Sequence, residues 1–151
     1  NNGGSAWVAT FSGCCRVSFL SVNNDLSFSL QTYVDLSLGT NTPPRATAFP
    51  ILTLNNDVSG TNTFTIPAVD EDGDDLVYRL ATPTEFGGGL ALSGLNVSTA
   101  GTFSWTTTGV AAGYYPLALR ISDSRANGTG TMMVSTMSVD LILRLVQPVY
   151  V

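Results

Sequence analysis

Phe64-Thr65-Ile66-Pro67-Ala68-Val69 runs into Asp70-Glu71-Asp72-Gly73-Asp74-Asp75, and that in turn into Leu76-Val77-Tyr78-Arg79-Leu80. Apolar, β-branched and aromatic residues thus flank a passage that carries five of the chain's eleven carboxylates. Flanks of this kind read as β-strands, and the passage between them as the turn that joins them. Asp70, Asp72 and Asp74 stand at alternate positions, and Gly73 lets the backbone turn. Oxygen-bearing side chains so spaced suit a hard divalent cation, which takes several oxygen ligands from one tight loop. The passage therefore reads as a calcium loop between strands; the alternative is a solvated acidic turn, Asp and Gly being ordinary turn residues. An EF-hand does not fit, because no Glu closes the loop and the flanks are not helical in pattern.

The same reading extends in both directions. Upstream, Phe49–Leu54 and Thr63–Ile66 are short strands around the polar turn Asn55 to Asn62. Asn41-Thr42-Pro43-Pro44-Arg45 lacks two backbone donors and reads as a loop or edge connection. Before it, Leu26, Phe28, Leu30, Val34, Leu36 and Leu38 share one parity, with Ser27, Ser29, Asp35 and Ser37 on the other. That is the pattern of a half-buried strand with one wet face. Ala6–Phe11 and Cys14–Leu20 read as two further strands on either side of Ser12-Gly13. Downstream, Leu76–Ala81, Leu95–Ser98, Gly101–Trp105 and Tyr114–Ser122 are strands, Thr82–Gly94 is irregular, and Asp123–Gly130 is a turn. The last strand runs from about Thr131 to Val146, with Val139, Leu141, Leu143 and Leu145 on one parity. No window carries a sustained helical period with caps. Short strands separated by Gly, Asn, Asp and Pro turns make an all-β antiparallel sandwich.

Length and composition agree with one domain. A chain of 151 residues can bury a proper core. We expect residues 46–151 to form the sandwich and residues 1–45 to pack on it or extend it. Charged residues are 11% of the chain and apolar residues 44%, a balance that suits a packed β-protein. All six basic residues are Arg and the net charge is −5, so neither nucleic acid nor an anionic membrane surface is an expected partner. No apolar run approaches the ~20 residues of a membrane span. The opening Asn1-Asn2-Gly3-Gly4-Ser5 reads as a linker or processed start, not as a signal peptide.

There is no His, so Ser-His-Asp, Cys-His and imidazole zinc sites are excluded. Gly87-Gly88-Gly89 precedes no Lys and no evident helix, and is no phosphate cradle. A glycosidase pair needs two carboxylates across a cleft, whereas most of these crowd into one loop. The chain therefore reads as a non-enzyme.

Cys14 and Cys15 are adjacent, with Cα atoms about 3.8 Å apart across a trans peptide, inside the roughly 4.4 Å lower limit of ordinary disulfides. A vicinal disulfide, two unrelated thiols with one buried, and crosslinks to other copies all remain open. Asn96-Val97-Ser98 and Asn127-Gly128-Thr129 are N-glycosylation acceptors by pattern. Trp7, Trp105, Tyr114 and Tyr115 either form an aromatic platform for a sugar or fill the sandwich.

The passage Phe64 to Ala81, followed by Gly94-Leu95-Asn96-Val97, Gly101-Thr102-Phe103-Ser104-Trp105 and Tyr115 to Ser124, resembles the cadherin-like and immunoglobulin-like repeats of large secreted surface proteins. In that family a strand ending in an Asp-rich loop is followed by a Gly-Leu turn, a Gly-hydrophobic strand and a strand closing on Asp-Ser. The likeness spans about half the chain. Phe11-Ser12-Gly13-Cys14-Cys15-Arg16-Val17 is similar to the segment that precedes such repeats in predicted extracellular proteins. The resemblance implies an immunoglobulin-like or cadherin-like sandwich with calcium on Asp70, Asp72 and Asp74, and with Asp123 approaching from a later strand. Cadherin repeats take further ligands from an adjacent repeat through a linker motif, which is not found in this sequence.

The expected function is that of an extracellular structural module at the cell surface: a subunit or repeat of a fibre, filament or adhesin, rigidified by calcium. Its partners would be other copies of itself or adjacent repeats, with glycans as a further class. The apolar stretch Leu141 to Val151 is an edge liability unless covered. A neighbouring subunit could cover it by strand exchange and so generate open filaments, or the strand fills its own sandwich. The alternative function is a carbohydrate- or ligand-binding module using the aromatic residues. A hydrolase built on Glu85 or Asp140 ranks last.

Overall fold

The larger sheet is organised around its last strand. The computed structural model describes residues 5–56 and 60–148. Its strands are β1 (Ala6–Gly13), β2 (Phe28–Asp35), β3 (Arg45–Ala46), β4 (Ile51–Asn55), β5 (Thr61–Thr65), β6 (Ala68–Val69), β7 (Asp75–Leu80), β8 (Leu95–Val97), β9 (Thr102–Thr106), β10 (Gly113–Ala126) and β11 (Thr131–Val146). One edge of β11 pairs antiparallel with β10 along nearly its whole length. The other edge is divided between β2, antiparallel over Ser135–Met137, and β4, parallel over Ile142–Val146. With β7 beyond β10 and β1 beyond β2, the order is β1-β2-β11-β10-β7. A second sheet, β5-β9-β8, lies against it, and β3 pairs with β6 apart from both.

Period-two alternation fills the space between the sheets. Leu117, Leu119 and Ile121 of β10 and Leu141, Leu143 and Leu145 of β11 meet Phe103 and Trp105 of β9 in one cluster. Phe103, Leu119, Ile121 and Leu143 are fully buried. Each such side chain contributes about 1.5–3 kcal/mol relative to exposure. The Trp105 and Tyr115 rings meet edge to face at 5.1 Å, and their polar atoms reach the Ser93 and Ala111 carbonyls. Both rings are core, and neither is available as part of a sugar platform.

The other face of β10 and β11 is covered too. Residues 16–31 lie across it and meet the 82–92 loop: Arg16 pairs with Asp140 at 2.6 Å and donates to the Phe86 carbonyl, while the Ser29 amide also reaches the Phe86 carbonyl. The Gly run explains the close approach. Gly87 has φ +95°, and a Cβ there would stand 2.7 Å from the Phe28 carbonyl carbon. Gly87-Gly88-Gly89 is therefore a packing device between backbones. Pro116 is accommodated within β10 because the Ile142 amide opposite it bonds to Pro50 instead, and β7 pairs only from Leu119 onward. The missing N–H is needed by neither neighbour.

Three sequence expectations require correction. Cys14–Leu20 is not a strand. Its backbone bonds go elsewhere, Arg16 N to Leu26 O at 2.8 Å, and Asn23 and Asp25 adopt positive φ, so the alternating pattern there is spent on a wrapping segment. The expected strand from Leu26 to Leu38 is shorter, and β2 is half-buried along its whole length instead of alternating. The turn expected at Asp123–Gly130 narrows to its second half, because β10 continues to Ala126. The terminal strand β11 fills its own sheet, with both edges taken; Val149 to Val151 lie outside the described residues. Of the two outer strands of this sheet, β7 and β1, it is β1 whose described residues are all exposed and uncharged, with Trp7 54% and Phe11 67% accessible.

Candidate metal centre

The acidic loop is a nested turn built by its first residue. Asp70 Oδ1 accepts from the Asp72 amide at 2.9 Å and the Asp74 amide at 3.1 Å. Gly73 sits at φ +80°, a conformation that admits Gly without strain. This curls the chain so that carboxylate oxygens of Asp70, Asp72 and Asp74 all lie within 4.8 Å of one another. Burial pushes the Asp70 carboxyl above its usual range; the two amides pull it down, and the charges of Asp123 and Asp74 push it up. Asp70 Oδ2 is buried and has no hydrogen-bond partner among the described residues. A cation would supply what that oxygen lacks.

Asp123 joins from β10. It is fully buried, on the core-facing parity, beside a bulge that shifts the register with β11 after this residue. The bulge leaves the Ser135 amide to the Asp123 carboxylate: Oδ1 accepts from Ser135 N and from Ser135 Oγ, the latter at 2.6 Å. Oδ2 accepts from Asn41 Nδ2 at 2.9 Å. Asp123 thus has its oxygens occupied within the protein, in contrast to Asp70.

Two residues that the sequence reading did not single out complete the arrangement. Arg125 holds both oxygens of Asp74, at 3.0 and 2.6 Å, and also donates to Thr40 O and Asn41 Oδ1. Asn41 bridges Arg125 and Asp123, while the Thr42 amide donates to Asp72 Oδ2 at 2.6 Å. The segment before Pro43-Pro44 is therefore held at three consecutive residues, Thr42 on the acidic loop itself and Thr40 and Asn41 on Arg125 and Asp123 of β10 beside it. The signal available in the sequence was Arg125 two positions beyond Asp123, since residues i and i+2 of a strand share a face. Asn41 had no comparable signal.

The donor set, all hard oxygens converging on one side of a turn, fits a divalent cation with Asp70 and Asp72 as principal ligands. Asp74 is shared with Arg125, whose guanidinium already balances one charge. The acceptor pattern residues Asn96, on β8, and Asn127, in the β10–β11 turn, are both exposed. Cys14 and Cys15, bonded to one another at the end of β1, are exposed as well. The carboxylates considered for acid–base chemistry are engaged elsewhere: Asp140 with Arg16, and Glu85 with Arg79 through two bonds of 2.6 and 2.7 Å.

That last pair sets a pH dependence. Arg79, with help from the Thr82 amide, lowers the Glu85 carboxyl from 4.5 to about 2. A carboxyl depressed on folding contributes stability that is complete above its unfolded value and disappears as pH falls toward about 2. Arg79 is half exposed, so solvent screening keeps the gain modest. Glu85→Gln is expected to lower stability slightly near neutrality and to match the parent chain in acid, as read by urea melts across that range. An equal deficit at both ends would show that the pair does not carry the effect.

No protein-family model matches the chain, and neither does any curated protein. Among solved structures, two crystal forms of human protocadherin-24 EC1-2 align over 94% of this chain. They cover 82% and 83% of those chains, at 11% and 12% identity and TM-scores of 0.50 and 0.51. The fold is cadherin-like. The N-terminal four Ig domains of Dscam1 isoform 4.44 align over 95% of this chain and 46% of that one, at 11% identity and a TM-score of 0.35.

Proposed function

We propose that this chain is a non-enzymatic extracellular module, a repeat or subunit of a surface fibre, filament or adhesin. In this reading calcium fixes the 70–74 loop against the segment before Pro43. The observation that carries it is the convergence of Asp70, Asp72 and Asp74 on one side of the turn, with Asp70 Oδ2 buried and unpartnered among the described residues. A costly carboxylate of this kind is what a bound cation relieves. The cadherin-like fold supports the extracellular assignment, and the joined Cys14 and Cys15 are consistent with an oxidising compartment. Partners would be other copies or adjacent repeats. β11 is paired on both sides, and of the outer strands β1 is the exposed, uncharged one at which another strand would add.

Calcium at about ten times its dissociation constant stabilises by about 1.4 kcal/mol, equivalent to a rise of about 3–6 °C in Tm for a chain of this size. Asp70→Asn keeps an oxygen for the Asp72 and Asp74 amides but removes the buried charge. It is expected to melt at or above the parent chain in chelator and to lose the calcium response. Superimposed melting curves of the parent chain with calcium and with chelator would sink the metal reading. Light scattering under the same two conditions reads assembly separately.

A further inference from the structure

Arg120 is a buried cation that the fold does not neutralise. It lies on the outer parity of β10, only 5% exposed. Its one hydrogen bond among the described residues runs from Nη1 to Ser138 Oγ, and its Nε has no acceptor. Among the described residues the carboxylate whose charge acts on it is that of Glu85, which is already bound at both oxygens by Arg79. In the cluster of Arg79, Glu85 and Arg120, two guanidinium groups and one carboxylate leave a charge of +1.

A depression of about 240 Å³ opens beside it, lined by Arg79, Arg120, Gln31, Tyr33, Ser122, Thr136 and the thioether of Met133. The lining offers hydroxyls and an amide but no carboxylate. Thr136 Oγ1 donates to Met133 Sδ at 2.9 Å, so the 2.9 Å bond between Ser122 Oγ and Thr136 Oγ1 uses the Ser122 proton, and both hydroxyls keep only acceptor capacity. Water would fill such a space but would not balance the charge, and an uncompensated buried ion is costly. We infer that this depression binds a small carboxylate, anchored by the Arg120 guanidinium beside the hydroxyl oxygens of Ser122 and Thr136. The carboxylate is either that of a free organic acid or that of an acidic sugar, whose ring hydroxyls would meet the polar lining. Burial also pushes the Arg120 guanidinium down from its ordinary value, in the direction expected of an unpaired cation. This site lies apart from the acidic loop and does not depend on the calcium reading.

The test titrates the intact chain with acetate and with glucuronate, ionic strength being held constant with chloride. Amide resonances of Gln31, Ser122 and Thr136 are followed together with Tm. Saturable shifts confined to that set, with a rise in Tm, are expected. Arg120→Met, which keeps the aliphatic stem, should weaken binding by about tenfold to a hundredfold. It should also melt at or above the parent chain in anion-free buffer, because an unpaired buried charge has been removed. Tighter binding of glucuronate assigns the site to an acidic sugar, and equal binding to a plain carboxylate. No saturable shift with either probe, or binding unchanged in Arg120→Met, overturns the proposal. So does an Arg120→Met chain that loses its fold, since the guanidinium would then be compensated within the protein.

Discussion

Asp123→Ala is expected to lower the unfolding free energy by about 3–5 kcal/mol, the cost of removing one partner from a buried, charge-assisted cluster. The side chain is fully buried and both of its oxygens are in use. Its loss leaves the Ser135 amide and hydroxyl and the Asn41 amide without their acceptor. The β10–β11 bulge loses the group that satisfies it, and the segment around Asn41 loses its deepest anchor. At about 2–4 °C per kcal/mol for a chain of this size, Tm falls by roughly 6–20 °C. The measurement belongs in chelator, so that loss of a metal ligand does not enter. Asp123→Asn retains one oxygen for Ser135 and should lose less. A urea melt of Asp123→Ala within about 1 kcal/mol of the parent chain would show that the cluster is not a structural keystone.

Gly87→Ala carries the second large effect, of about 2–6 kcal/mol. Strain from a non-Gly residue at positive φ supplies about 1–3 kcal/mol of it. Overpacking supplies about as much again, because the added methyl would stand 2.7–2.9 Å from the backbone of Phe28 and Ser29. A backbone cannot rotate aside as a side chain can. The wrapping segment must therefore lift from the outer face, releasing the Ser29 amide from the Phe86 carbonyl. Hydrogen exchange at Ser29 should accelerate along with the loss in Tm. Gly88→Ala is the control: Gly88 has a φ of +102° but open space around the added atom, so it isolates strain from contact. Equal losses in the two variants, with Ser29 protection unchanged, would refute the close-approach account.

The elements with a clear period were legible. Val139, Leu141, Leu143 and Leu145 on one parity place the core face of β11, and Leu117, Leu119 and Ile121 do the same for β10. The acidic loop with its flanking strands was readable because Asp, Gly and β-branched residues each favour one local conformation. What escaped was long-range. Val17 and Phe19 alternate as a strand would, yet both are exposed in a segment that crosses the outer face. Nothing local distinguishes a strand edge from a strap laid over a sheet. In the site, Asp70, Asp72 and Asp74 come together through a turn of five residues, and turns are local. Asn41 reaches Asp123 across 82 positions, and Arg125 reaches Asp74 across 51, so both pairings wait on the tertiary fold. Asp123 was placed near the loop by family resemblance. Its saturation by Ser135 and Asn41 follows from a bulge that periodicity does not announce.

The parallel pairing of β4 with β11 has a consequence for a chain under tension. Ile51 to Asn55 run alongside Ile142 to Val146 in the same direction. A pull delivered to β4 from its Pro50 end and to β11 from its Gln147 end draws the two strands past one another lengthwise. The inter-strand bonds are then loaded together in shear, whereas an antiparallel hairpin pulled at its open end unzips one bond at a time. Rupture under force is governed by the unfolding barrier, not by equilibrium stability. A module that includes this short parallel ladder can thus be marginal in a urea melt and still be stiff when stretched across it.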